Sequence, residues 1–384
     1  MKVSEIKNIT MIGSGDMGHG IGELALIAGY NVCLYDIKQE FVDKGKNRIN
    51  WSLQKLAEKG KISSANIISN VTTSINISEA VKNADVVIEA APENLELKLK
   101  IFTDLEKYSP KGAILASNTS NMSINELANS TARPENVCGL HFFNPPILMK
   151  LAEITRGDKT SDETIATMKQ LSTKFGKTPV VCEKDSPGFI ANRINAPAAY
   201  YTQLLLDRKE YVPEELDATC MNMGMKMGPY ELLDYTGADI LLHSFDYFRD
   251  RLSKDYDAPS KLKELVKENK LGKKTGEGVY KWPENGRPTI DTSKSADFDL
   301  TDLLKIQVNE GVKVFAEGLA TPVDIDNAMK LGYNLPIGPI EALDGMDLKE
   351  LTAWLDGIAD KYGKEEMYRA HEWIRDGSIV DRVK

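Results

Sequence analysis

The chain has 384 residues, enough for two or three domains with sizeable cores. Apolar residues make up 42% and charged residues 27%, which excludes a disordered, collagen-like or disulfide-scaffold chain as the overall class. With 48 Lys+Arg against 57 Asp+Glu the net charge is −9, which argues against a broadly basic nucleic-acid surface and predicts no nucleic-acid partner. Four scattered cysteines without a Cys-x-x-Cys pair, and four histidines, offer no zinc motif, so no metal site is expected. No run of about 20 apolar residues is present to span a bilayer. The N-terminus enters a strand-like run directly, so no signal peptide is expected, and the reading is a reduced, cytoplasmic protein away from membranes.

Residues 8–18 form a short apolar strand that runs into Gly13-Ser14-Gly15-Asp16-Met17-Gly18. A helical pattern follows (Ile21, Leu24, Ala25, Ala28), closes at Gly29, and leads to a second strand ending at Asp36. Residues 38–62 read as a long, partly exposed helical arm. Further strands are expected near 68–72, 85–90, 113–117 and 136–143, with helices at 78–83, 94–108 and 122–129. Such alternation predicts an α/β, Rossmann-type domain over 1–186 with a mostly parallel sheet. After Asp185-Ser186-Pro187-Gly188 strand signals nearly vanish, so an all-α region is expected, divided at a Pro/Gly/Ser-rich linker (283–297) into 187–297 and 298–384.

Gly13-x-Gly15-x-x-Gly18 after a strand and before a helix, with Asp36 ending the next strand, is the context a dinucleotide-binding loop requires. Gly13 permits the tight turn, Gly15 admits the pyrophosphate, and Gly18 allows close helix–strand packing. The helix N-terminus supplies amide donors to the phosphates. Asp36 would accept hydrogen bonds from the ribose hydroxyls and repel a 2′-phosphate, which favours NAD over NADP. His19 reads as a surface residue of the same helix.

Residues 139–153 read Gly-Leu-His-Phe-Phe-Asn-Pro-Pro-Ile-Leu-Met-Lys-Leu-Ala-Glu. The strand through His141 must turn at Asn144-Pro145-Pro146, because proline cannot continue a central ladder. If the chain returns antiparallel, Glu153 lies opposite His141. A carboxylate there orients the imidazole and favours its charged form, which suits a base that takes a proton from a secondary alcohol as hydride leaves.

Two segments recur. Val212-Pro213-Glu214-Glu215-Leu216-Asp217 returns as Thr321-Pro322-Val323-Asp324-Ile325-Asp326, at an offset of 109. Met227-Gly228-Pro229 returns as Ile337-Gly338-Pro339 at 110, so one residue is inserted between them. A duplicated helical module, the second copy degenerate, is the simplest explanation.

Together with Glu93-Asn94-Leu95, Ala116-Ser117-Asn118-Thr119-Ser120, Met149-Lys150-Leu151-x-Glu153, Pro187-Gly188-Phe189-Ile190-x-Asn192-Arg193 and Lys273-Lys274-Thr275-Gly276-Glu277-Gly278, these motifs make the chain resemble the (S)-3-hydroxyacyl-CoA dehydrogenases, including those that prefer 3-hydroxybutyryl-CoA. The resemblance implies NAD as cofactor, an acyl-CoA thioester as substrate, His141 as base and Glu153 as its partner. It implies that Ser120 and Asn192 hydrogen-bond the substrate, that Glu93, Lys98 and Asn144 lie on the cofactor side, and that Ser52 and Lys59 meet the coenzyme A moiety. Bland alternatives stand beside these: Ser120 as the N-cap of the helix over 122–129, Asn192 as a cap or bridge between helices, and Lys98, Ser52 and Lys59 on solvated helix faces. Asp16 departs from the small residue usual in the family's loop and puts cofactor affinity in doubt. Single-module members dimerise through the helical domain, which implies that the second copy here completes an internal pseudo-dimer, with further homodimerisation open. The rival readings are a dehydrogenase of a free sugar acid such as gulonate, and a crystallin-like structural protein that keeps NAD binding.

Overall fold

The computed structural model describes residues 1–383. The chain divides into two compact units, Met1–Ala191 with Glu317–Gly338, and Asn192–Ala316 with the residues from Pro339 on. A single helix of the second repeat therefore groups with the N-terminal sheet rather than with its neighbours in sequence.

The first unit holds eight strands, β1 (Asn8–Ile12), β2 (Asn31–Tyr35), β3 (Val71–Ser74), β4 (Val86–Glu89), β5 (Ile114–Ser117), β6 (Val137–Phe142), β7 (Leu151–Arg156) and β8 (Thr178–Cys182), in the order β3-β2-β1-β4-β5-β6-β7-β8. Every neighbouring pair is parallel except β6 with β7. Strands β4, β5 and β6 are buried along their whole length, so they read as continuous apolar runs rather than alternating ones. Helices α1 (Asp16–Ile27), α2 (Gln39–Glu58), α3 (Ile77–Val81), α4 (Leu95–Tyr108), α5 (Ile124–Asn129) and α6 (Asp162–Lys174) connect them. The strand order reverses between β1 and β4, and such a reversal opens a crevice at the carboxyl ends of the strands.

Two sequence expectations need correction. The strand expected at 68–72 begins at Val71, because Ser64 caps a 3₁₀ turn over Ala65–Asn70 by accepting from the Asn66 amide. The helix expected at 122–129 begins at Ile124, and its N-cap is Ser123 rather than Ser120.

The second unit contains most of α7 (Ala191–Asp207), then α8 (Pro213–Asn222), α9 (Pro229–Thr236), α10 (Ala238–Arg251), α11 (Ser260–Lys267) and α12 (Thr301–Ala316). Helix α13 (Pro322–Gly332) returns to the first unit, and α14 (Leu348–Tyr362) lies in the second. The repeated Asp and Gly-Pro have a physical reason. The Asp217 carboxylate, fully buried, accepts from the Tyr230 and Glu231 amides (3.0 and 2.8 Å) at the start of α9, and a Cβ on Gly228 would collide with it. In the second copy a Cβ on Gly338 would likewise collide with Asp326. Asp234 also accepts from the Val279 and Tyr280 amides (both 2.8 Å) and so clamps the segment after Lys273-Lys274-Thr275-Gly276. Its counterpart Asp344 is exposed, which marks where the copies have diverged.

Candidate active site

Beyond β1 the chain turns at Gly13 (φ +95°), whose amide donates to the Tyr35 carbonyl at 2.9 Å. A Cβ on Gly18 would collide with the Gly13 carbonyl, whereas one on Gly15 would meet nothing within 4 Å. Gly18 thus lets the helix sit against the turn, and Gly15 leaves an open approach. Gly15 also N-caps α1 without any side-chain cap, so amides of the first turn are presented to an anion. Ser14 donates to Asp36 Oδ2 through both amide and hydroxyl (2.9 Å each), and the Ile37 amide reaches Oδ1 at 2.8 Å. That fixes Asp36 at the end of β2, and its remaining lone pairs fit ribose hydroxyls. Asp16 is paired with Arg48 of α2, which offsets the charge that put affinity in doubt. Met17 is half-buried against the sheet core, and His19 Nδ1 lies 2.6 Å from the Gly15 carbonyl. The cradle fits a dinucleotide pyrophosphate.

A buried acid that sequence reasoning missed organises the next strand end. Glu89, fully buried at the end of β4, accepts from Lys98 Nζ (2.6 Å), Ser117 Oγ (2.5 Å) and the Ala91 amide (2.6 Å). Lys98 is 1% exposed, which overturns the solvated-face alternative, and it also lies 3.2 Å from Glu93 Oε2. Glu93 Oε1 accepts from Thr119 Oγ1 (2.6 Å) and the Ser120 amide (2.8 Å). Glu93, Lys98 and Ser120 therefore share one network. The available signal for Glu89 was a lone acid closing the apolar run Val86-Val87-Ile88.

Strands β6 and β7 pair antiparallel in the register that sets His141 opposite Glu153. His141 Nδ1 is 2.7 Å from Glu153 Oε2, with the two residues 5% and 0% exposed. Glu153 Oε1 accepts from the Ala191 amide at 2.8 Å and the Ile190 amide at 3.3 Å. Both carboxylate oxygens are thus engaged, and the ring is held through Nδ1, which leaves Nε2 as its other nitrogen. The rings of Phe143 and Phe189 lie 4.6 and 6.1 Å from the imidazole. Asn118 Oδ1, also missed, accepts from the Phe142 amide at 2.9 Å and ties the end of β5 to the histidine's strand.

Asn144 is exposed in the turn after β6. Asn192 follows Ala191 in the first turn of α7 and is the first residue of the other unit. On α2, Ser52 is half-buried and lies against Glu23, whereas Lys59 at the helix end is exposed.

Residues 8–186 match the family model for the NAD-binding domain of 3-hydroxyacyl-CoA dehydrogenase, and residues 188–282 and 300–379 match that family's C-terminal domain. Pig (Sus scrofa) mitochondrial hydroxyacyl-coenzyme A dehydrogenase is 39% identical over 288 residues, covering 72% of this chain and 91% of that protein. The 3-hydroxybutyryl-CoA dehydrogenase of Escherichia coli K12 superposes with a TM-score of 0.88 at 27% identity, over 98% of this chain and 99% of that one. The (S)-3-hydroxybutyryl-CoA dehydrogenase of Ralstonia eutropha gives 0.69 at 35% identity, over 73% of this chain and all of that one.

Proposed function

The chain belongs to the 3-hydroxyacyl-CoA dehydrogenase family, and from that premise we propose how its residues perform the reaction. It is an NAD-dependent oxidoreductase that oxidises 3-hydroxyacyl-CoA to 3-oxoacyl-CoA. The substrate we assign is the (S)-isomer with a short acyl chain, as in 3-hydroxybutyryl-CoA.

NAD bound in the Gly13–Gly18 cradle would supply the acceptor for the C3 hydride. His141 Nε2 takes the hydroxyl proton, while Glu153 holds Nδ1–H and balances the imidazolium that forms. Ser120 and Asn192 hydrogen-bond the substrate oxygens. Glu93 and Lys98 support the cofactor side through Glu89, Asn144 borders the nicotinamide, and Asp36 disfavours a ribose 2′-phosphate. Lys59, at the end of α2, meets the coenzyme A phosphates, and Ser52, two turns earlier on that helix, meets the same moiety. The observation that carries this reading is the buried His141–Glu153 pair, with both carboxylate oxygens engaged.

The second copy, in this reading, takes the place of a partner subunit. Helices α7 and α12 occupy equivalent positions in the two copies, and Arg193 Nε lies 2.5 Å from Glu310 Oε1, both residues buried. None of the described helices is long and apolar enough to cross a membrane.

His141→Ala is expected to lower kcat for acetoacetyl-CoA reduction by about 10²–10⁴, the usual worth of a positioned base. Glu153→Gln is expected to slow turnover and alter its pH dependence. A folded, NADH-binding His141→Ala protein with the parent kcat would discard the mechanism. No turnover of any acyl-CoA by the parent would return the free-acid and structural readings.

A further inference from the structure

The one residue that the second copy has in excess, between its two matched segments, falls at the end of one helix. Helix α8 has 10 residues and is followed by Met223, then Gly224 at φ +103°. Helix α13 has 11 and is followed by Tyr333, then Asn334 at φ +56°. The left-handed residues match at an offset of 110, so Tyr333 takes the position of Met223, and the insertion has been absorbed as extra helix. Met223 is 54% exposed, whereas the Tyr333 ring packs edge-on against Phe143, with ring centroids 6.2 Å apart.

The insertion also brings a buried glycine to the sheet. A Cβ on Gly332 would stand 3.1 Å from Phe143 Cε1 and 3.0 Å from Leu151 Cδ2, tighter than side chains ordinarily pack. These two neighbours are not arbitrary. Leu151 lies two residues before Glu153 in β7 and so shares its face, and Phe143, one residue beyond the end of β6, has its ring 4.6 Å from the imidazole. Helix α13 therefore ends on the face of the β6–β7 pair that carries the dyad, at the residues flanking it. Phe143 stands between the imidazole, at 4.6 Å, and Tyr333.

We propose that Gly332 and Tyr333, both from the degenerate second copy, are positioning residues for the reaction: they hold the Phe143 ring against His141 and so set where the base meets the substrate hydroxyl. The proposal rests on His141 being the base. It gives the second copy a part in catalysis through the first unit alone, and it explains why the copies differ by one residue at this helix end.

The test compares Gly332→Ala, Tyr333→Ala, Tyr333→Phe and His141→Ala in the full-length protein, measuring kcat and KM for acetoacetyl-CoA and NADH together with Tm. The added Cβ gains helix propensity but must displace Phe143 or Leu151, so Tm can fall for a purely structural reason, which would leave kcat of the folded protein at the parent value. We expect instead kcat of the folded protein lowered about 5- to 20-fold, from a base displaced by a fraction of an ångström, with an unchanged KM for NADH. Tyr333→Ala should lose a similar factor, and Tyr333→Phe, which keeps the ring, should recover it. If Gly332→Ala folds poorly, the Tyr333 pair carries the same test. Parent kcat in Gly332→Ala and Tyr333→Ala beside an inactive His141→Ala would overturn the proposal and leave the base in place. Equal losses in Tyr333→Phe and Tyr333→Ala would also overturn it, because the ring would not be the agent. An active His141→Ala would remove its premise and overturn both.

Discussion

Glu23 lies on the buried face of α1, 1% exposed, and its Oε1 has no hydrogen-bond partner. Burial pushes its carboxyl from 4.5 up to about 7, and the adjacent Ser52 hydroxyl offsets part of the rise. Because the folded value exceeds the unfolded one, the folded chain binds this proton more tightly. The stability so gained is fully present below about pH 4.5 and is lost as pH rises through about 7. The loss is on the order of 3 kcal/mol at pH 8. Glu23→Gln, which keeps the shape without the charge, should therefore unfold at higher urea than the parent at pH 8 and at nearly the same urea at pH 4. An equal difference at the two pH values would refute the assignment. At this scale the dyad was legible because proline forces a reversal after His141, and a two-residue period then fixes what lies opposite. Glu89 was not, since nothing local distinguishes an acid that ends a buried strand from one in a solvated turn; its partners Lys98 and Ser117 are brought to it only by the fold.

Lys177, 6% exposed ahead of β8, donates to the Pro146 carbonyl and, at 2.7 Å, to that of Met149. Burial, aided by the charge on Lys150, lowers its ammonium to about 8. The turn that follows β6 and carries Asn144 is thus held from behind by one side chain. Lys177→Met retains the stem but strands two carbonyls, at a cost of about 2–3 kcal/mol. If Asn144 borders the nicotinamide, NADH should also bind several-fold more weakly, and titration calorimetry beside thermal unfolding would measure both. Unchanged Tm and NADH affinity would show that the turn holds without the lysine. Elements whose patterns were local were read correctly, such as the βαβ start and α4. Strand β8 escaped because Thr178-Pro179-Val180-Val181-Cys182 has a proline inside it, which an edge strand tolerates and a central one does not. Helix α6 escaped because its buried stripe, Ile165, Met168 and Leu171, is narrow and set among polar residues.

For the whole molecule, the repeat was legible from its offsets, but its distribution between two compact units was not, because sequence similarity carries no information about which surface each helix covers. Helix α13 packs on β7 and β8 in the first unit, and α12 packs in the second, where Glu310 accepts from Arg193 and lies 3.4 Å from Lys313. Val308 and Val312 of α12 are fully buried. Deleting 298–384 would therefore bare the sheet at the dyad's flank and take the Glu310 carboxylate away from Arg193, 3% exposed in the intact chain. Breaking a buried pair by removing one partner costs about 3–5 kcal/mol. A covalently attached copy meets these surfaces at an effective concentration no free partner would match, and in its absence a second truncated chain offers the nearest substitute. The truncated protein should then aggregate or dimerise through the exposed face of α7, with kcat reduced in either form because Gly332 and Tyr333 are gone. Light scattering coupled to size exclusion, followed by turnover of each peak, decides this: a soluble monomer with the parent kcat would mean that the second copy neither covers the helical face nor steadies the histidine.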